Sequence, residues 1–369
     1  MTNSLSIPAG GQTNGRHDPD KLLAAVPGLL GFVPERSIVL LAFSGERTVA
    51  ATMRHDLCLT KAGAPSAGMR QLFIRLGALA ASYRTIGTVA VIVDDRFPPD
   101  DQRYRRVAAA AHKGFRPAGG LSAAFAMAEA VAGADWHTIW RPQSGTPPHP
   151  FPGSVPDRGL LSDPNASPTA LERAVNSGRR ILSRRSEMEG LLSPVPHCAD
   201  LLCHAEFPVP VRHQPGREDA RGLEIVLAAV DRFGAGDLDL PCDEVNRLAA
   251  ALVSVHVRDA LLGLSLTARR GAAEDLWRAL TRRLSGHARA AAATLLGHVH
   301  YMAGEGAYAG VALRVAQDAD PDYNLANLLD TALANGMRPR ELGGLAELAY
   351  DIAEALGTRL PPPLFEAAG

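Results

Sequence analysis

The chain of 369 residues is 46% hydrophobic and 21% charged, the balance of a folded globular protein, and it is long enough for two domains that each bury a core. Its formal net charge of -1 gives no bulk electrostatic reason to expect nucleic acid or an anionic membrane as partner, although it leaves room for a local basic patch. The opening residues lack the apolar segment of a secretory signal, no later apolar run is long enough to span a bilayer, and Cys58, Cys198, Cys203 and Cys242 are too few for a disulfide framework. A cytoplasmic chain with free thiols is expected.

Residues 1–17 read as a disordered or extended start. Asp20 to Leu30 then reads as a short helix closed by the Gly31-Phe32-Val33-Pro34 corner. Ser37 to Phe43 is a β-rich apolar run, and Thr48 to Leu57 can return beside it after the Ser44 to Arg47 turn as a hairpin. Leu72, Leu76, Leu79 and Tyr83 recur at helical spacing, and Thr88 to Val93 is an unbroken apolar run that predicts a buried strand. Tyr104, Val107, Ala111 and Phe115 mark a second amphipathic helix, whereas Ala123 to Ala132 and Trp136 to Trp140 fit helix or strand. The order implies an α/β domain over 18–192, an open mixed sheet with flanking helices. Within it, residues 141–168 are dense in Pro, Gly, Ser and Asp and are expected to form an irregular loop, a lid or a partner-binding edge. Ser167 as N-cap with Pro168 behind it starts a helix expected to run towards Leu192.

Residues 193–216 read as a Pro-rich linker, and 217–369 as an all-α helical bundle, from repeats such as Leu223, Val226, Leu227, Val230 and Val245, Leu248, Leu252, Val255. Between Arg289 and Pro321 the spacing of Leu296, Gly297, Gly304, Ala309 and Ala316 also fits a tetratricopeptide-like helical hairpin, with Ala293 and His300 where aromatics usually stand. No second copy follows in register, so a bundle is expected before a solenoid.

Few constellations carry chemistry. Asp94 and Asp95 end the buried strand, where open α/β sheets tend to bind ligands; paired carboxylates there could hold a divalent cation or move protons. The simpler reading is a solvated strand terminator with Arg96 as its neighbour. Arg54, His55 and Asp56 close the hairpin and read first as solvated edge charges. His197, Cys198, Cys203 and His204 form a soft-ligand cluster, but at about 100° per helical residue the two cysteines diverge, so zinc requires a bent loop. His204-Ala205-Glu206 with Pro241-Cys242 lacks the second thiolate of a zinc deaminase. Gly304-Glu305-Gly306 has a helix before it where a dinucleotide fingerprint needs a strand, and no Walker A loop, G-x-S-x-G elbow or H-E-x-x-H pair occurs. Asp259 falls on an apolar stripe and needs a partner. Any cofactor is left unknown by these residues.

Leu29-Leu30-Gly31-Phe32-Val33-Pro34-Glu35-Arg36-Ser37, Arg54-His55-Asp56-Leu57, Val93-Asp94-Asp95 and Val257-Arg258-Asp259-Ala260 resemble an actinobacterial family of unknown function, domain-of-unknown-function family 4192. The resemblance spans most of the chain and implies a bacterial cytosolic protein, with no activity or binding residues to carry over. Two readings of function follow. The first is a non-catalytic binding or regulatory protein whose helical domain offers surface to a protein partner. The second is an enzyme of unfamiliar type that uses Asp94 and Asp95 with Arg54 or Asp56 at the sheet edge.

Overall fold

The computed structural model describes residues 5–6, 18–45, 48–141, 155–195 and 215–364. The chain divides into two compact units, Met1–Glu187 and Met188–Gly369. The first is a mixed sheet with helices; the described part of the second is helical.

The first unit opens with β1 (Leu5–Ser6), then α1 (Pro19–Leu30), β2 (Ser37–Gly45) and β3 (Thr48–Asp56). The Asp18 side chain caps α1, and Gly31, left-handed at φ 83, ends it. Strands β2 and β3 are the expected hairpin. Helix α2 (Ala67–Ser82), capped by Ser66, leads to β4 (Gly87–Val93); α3 (Gln102–Gly114), capped by Asp101, leads to β5 (Leu121–Met127). Strands β6 (Asp135–Trp140) and β7 (Arg158–Leu160) complete a sheet of order β1-β3-β2-β4-β5-β6-β7, in which the β4–β5 pair is parallel and the others antiparallel.

Every residue of β4 and β5 is buried. One face, with Ile38, Leu40, Ala90, Ile92, Ala124 and Ala126, forms a single core with Met69 and Phe73 of α2 and Tyr104, Val107 and Ala111 of α3. Because β3 and β4 both run against β2, the helices that follow β3 and β4 both run from the carboxyl ends of these strands towards the opposite end. They are parallel neighbours, and they approach unusually closely. A Cβ on Gly77 would overlap the Gly114 carbonyl oxygen, and one on Gly114 would lie 2.6 Å from Phe73 Cβ.

Two expectations change. The helix started by Ser167 is α4 (Pro168–Ser177), which stops at Gly178, φ 65; a separate short α5 (Arg185–Gly190) follows. Gly178 takes the left-handed conformation that ends helices, so the run towards Leu192 is broken. The Pro-rich stretch 141–168 holds the edge strand β7 and a 3-10 turn at Pro164–Ala166; residues 142–154 lie outside the described residues. The ambiguous Ala-rich run after α3 is strand β5.

The second unit contains α6 (Arg217–Gly234), α7 (Cys242–Leu252), α8 (Val255–Leu261), α9 (Arg270–Arg283), α10 (Gly286–Met302), α11 (Gly306–Ala319), α12 (Asn324–Ala334) and α13 (Gly343–Ala355). Helices α10 and α11 form a hairpin turned at Gly304, φ 75, in which Gly297 lets Leu313 in. Among the described residues no single helix is long and apolar enough to cross a membrane.

Gly77→Ala and Gly114→Ala should each lower the unfolding free energy by about 1–3 kcal/mol through overpacking between α2 and α3. Gly68→Ala, with no atom near its added Cβ, should leave it unchanged or slightly raised. Urea unfolding followed by circular dichroism separates the two outcomes.

Candidate functional site

The antiparallel register sets Ser37 opposite both Asp56 of β3 and Val93 of β4. Residues far apart in sequence therefore meet at one sheet edge: the lead-in to β2, the end of β3, and the Asp94-Asp95 exit from β4.

The two adjacent carboxylates part there. Asp94 turns inward and is 0% exposed, where the Arg96 guanidinium grips it through Nε at 2.7 Å and Nη2 at 3.0 Å. The same Nη2 donates to the Leu57 carbonyl at 2.9 Å, tying β3 to β4. The Tyr104 hydroxyl donates to the Asp94 carbonyl oxygen at 3.1 Å, and burial, helped by the Asp94 charge, holds that hydroxyl above the usual phenol range. Asp95 turns to solvent, where Arg36 bonds it through Nε at 2.8 Å and Nη2 at 3.1 Å and holds its carboxyl below the usual carboxylate range.

Arg36 itself sits at φ 43, a left-handed backbone uncommon outside glycine. It is fixed from behind, because Leu57 N–H donates to its carbonyl at 2.7 Å, while Val33 and Gly31 exchange main-chain hydrogen bonds with Leu182. Arg54 is largely buried: its Nε donates to Ser37 Oγ at 2.9 Å, its Nη2 pairs with Asp56 at 2.6 Å, and it lies over the Phe32 ring. Burial lowers its pKa, opposed by Asp56 and reinforced by Arg185. His55 is lowered as well, first by burial.

The four residues singled out from the sequence thus reach one sheet edge, where Asp56, Asp94 and Asp95 each face an arginine. Among the described residues no group of three or more His, Cys, Asp or Glu side chains could hold a metal ion. His197, Cys198, Cys203 and His204 lie outside the described residues. Past the carboxyl end of β5, an open hollow of about 390 Å³ is lined by Pro99, Ala128, Glu129, Val131, Gly133 and Asp135, among others. The sequence reading missed Arg36, whose pairing 59 residues away depends on strand register.

The fourth sequence segment, Val257 to Ala260, lies in the helical unit. Asp259 finds its partner in the adjacent Arg258, at 2.6 Å, and Arg258 also donates to the Tyr323 hydroxyl at 3.2 Å. Tyr323 packs beside His287, whose Nδ1 lies 2.7 Å from Asp320. These contacts join α8, the turn before α12 and the start of α10. Elsewhere in α10, His298 is 1% exposed, neither ring nitrogen has a hydrogen-bond partner among the described residues, and burial pushes its pKa down to about 4.

A mixed-sheet unit and a helical unit joined in one chain define the class. The model of the family described as domain of unknown function (DUF4192) matches residues 19–340, and the chain belongs to that family. No curated protein and no solved structure matches it significantly.

Asp94→Asn should cost about 2–3 kcal/mol, because it strips Arg96 of its buried counter-charge, partly offset by the guanidinium's access to water. Asp95→Asn should leave the urea midpoint almost unchanged, since its ion pair is solvated. Equal losses in the two variants would contradict the inward and outward assignment.

His298 adds a pH dependence. Its folded pKa is lowered, so the unfolded chain takes up a proton at about pH 6.5 that the folded chain refuses until about pH 4. This contribution is complete above about pH 6.5 and is lost as the pH falls towards 4. His298→Leu should flatten the urea midpoint across that window; an unchanged slope would show that other groups dominate.

Proposed function

We propose that the protein acts by binding and not by catalysis, as a bacterial cytosolic binding or regulatory factor. One observation supports this most: each carboxylate of the sheet-edge constellation is already engaged by an arginine of the same chain, Asp94 by Arg96, Asp95 by Arg36 and Asp56 by Arg54. A general base needs a free lone pair aimed at substrate, and a divalent cation needs several oxygen ligands turned to one point. The buried Asp94–Arg96 pair ties the ends of β3 and β4 together, which suits a scaffold that presents surfaces.

A thermal-shift screen with divalent metals and nucleotides tests the reading. No selective rise in Tm is expected from the metals in the wild type. A metal-induced rise that Asp56→Ala/Asp95→Ala abolishes would overturn it and establish an acidic site at the sheet edge, because selective binding to the native state raises Tm. Both substituted side chains are solvent-exposed, but Asp56 is the counter-charge of the largely buried Arg54, so circular dichroism of the variant accompanies the screen to show that it is folded.

A further inference from the structure

Helices α2 and α3 contain no acidic residue, and neither do the longer stretches 57–93 and 102–128. Helix α2 carries Arg70 and Arg75, with Arg84 just beyond it; α3 carries Arg103, Arg105, Arg106 and Lys113, with Arg116 just beyond. All but Arg103 are exposed. Arg103 is taken up by Asp101 at 2.7 Å and by the Phe97 ring. Among the described residues none of the exposed seven is in an ion pair. Elsewhere on the surface Arg36, Arg232, Arg247, Arg269 and Arg278 have acidic partners, while Arg217, Arg221, Arg314 and Arg340 are exposed without an ion pair among the described residues, so it is the clustering of unpaired cations with no intervening acid that sets α2 and α3 apart.

Since α2 and α3 are parallel and meet at Gly77 and Gly114, their outward stripes lie side by side. Arg70, Gln71, Arg75 and Ala78 stand on one; Gln102, Arg105, Arg106, Ala109 and Lys113 stand on the other. A solvated helix face is the bland explanation, and it fails on two counts. Such faces normally mix signs, whereas these two carry cations alone. The helix dipole favours cations only at a C-terminus, which suits Lys113, Arg84 and Arg116 but opposes Arg70 in the first turn of α2, where no acid stands, and Arg105 and Arg106 just past the first turn of α3, where Asp101 at the N-cap only partly compensates. Local rules broken on both neighbouring helices mark a surface kept for something other than stability.

The counterpart is a polyanion, and the rest of the face selects among polyanions. Membrane surfaces are bound by helices that insert an apolar side, but the apolar sides of α2 and α3 are buried on the sheet. Ile74 is the one large hydrophobic side chain these helices expose. A protein interface needs an apolar or aromatic centre, which is missing for the same reason. Without an exposed aromatic residue on either helix, the bases of a single strand find no stacking platform. Duplex phosphates need none of these. Guanidinium forks match phosphate oxygens in paired hydrogen bonds, and backbone contacts suffice for sequence-independent affinity.

We infer that the α2–α3 layer binds the phosphate backbone of double-stranded nucleic acid without reading its sequence. The inference names a partner for the binding role proposed above and rests on that reading. The test is fluorescence anisotropy of the full chain with labelled DNA and RNA duplexes over a salt series, beside a single strand and phosphatidylserine vesicles. Wild type should bind a duplex with steep salt dependence, and the tighter of the two duplexes identifies the source. Arg105→Gln/Arg106→Gln should weaken binding by about tenfold or more and reduce the slope of log K against log salt by about two. The Tm of that variant should stay at or above wild type, because cations leave the start of α3; Arg247→Gln in the helical unit should bind as wild type does. No duplex binding at low salt, binding indifferent to the double substitution, or equal affinity for vesicles would each overturn the inference. Metal binding at Asp56 and Asp95 would instead fail the non-catalytic reading, so the two failures are distinguishable.

Discussion

A strand buried along its whole length has no solvent face, so charge can appear only where it stops. Strands β4 and β5 are both of this kind, lying as a parallel pair in the middle of the sheet. The consequence is immediate at Asp94, the first residue past β4, where the chain introduces a carboxylate that is still fully enclosed. An unpaired charge there would be costly, and Arg96, only two residues on, supplies the counter-charge and then spans to Leu57. The clamp that neutralises the β4 exit also anchors the end of β3. Because β2 lies between those strands in fixed register, the same edge gathers Ser37, Arg54 and Asp56.

The backbone at Arg36 shows how much this edge constrains. A turn entering β2 at φ 43 would suit glycine. Glycine, however, would forfeit the guanidinium that reaches Asp95 on the far side of β2. The left-handed main chain is held on either side by Leu57 and Leu182, and the Arg36–Asp95 link is a solvated pair that adds little to that hold. The segments by which the sequence resembles its family are therefore, in the sheet unit, the parts of one joint.

Much of the architecture was legible because period and punctuation agreed. Thr88 to Val93 read as a buried strand, and the two β-rich runs around Ser44 to Arg47 as a hairpin. The run after α3 was ambiguous because alanine fits either geometry; the parallel crossover through α3, a tertiary fact, decides for strand. Gly178 was a readable stop that the Ser167-Pro168 start overshadowed. At the site, the strand-end position of Asp94 and Asp95 was legible but their divergence was not, since adjacent residues leaving a strand turn to opposite sides only once the flanking packing is fixed. His298 was hidden for a different reason: α10 is buried on nearly all sides, so its sequence shows no polar face against which a buried histidine would stand out.

Net charge describes the whole chain and no single face of it. A total of -1 from 38 basic and 39 acidic residues describes the potential far from the molecule, and at physiological ionic strength that potential is screened beyond about 8 Å. Within that distance only the local distribution matters, and residues 57–128 hold ten basic residues against four acidic ones. The rest of the chain is correspondingly acidic. The close crossing at Gly77 and Gly114 turns two modestly charged helices into one basic layer, so the glycines that permit the packing also create the field.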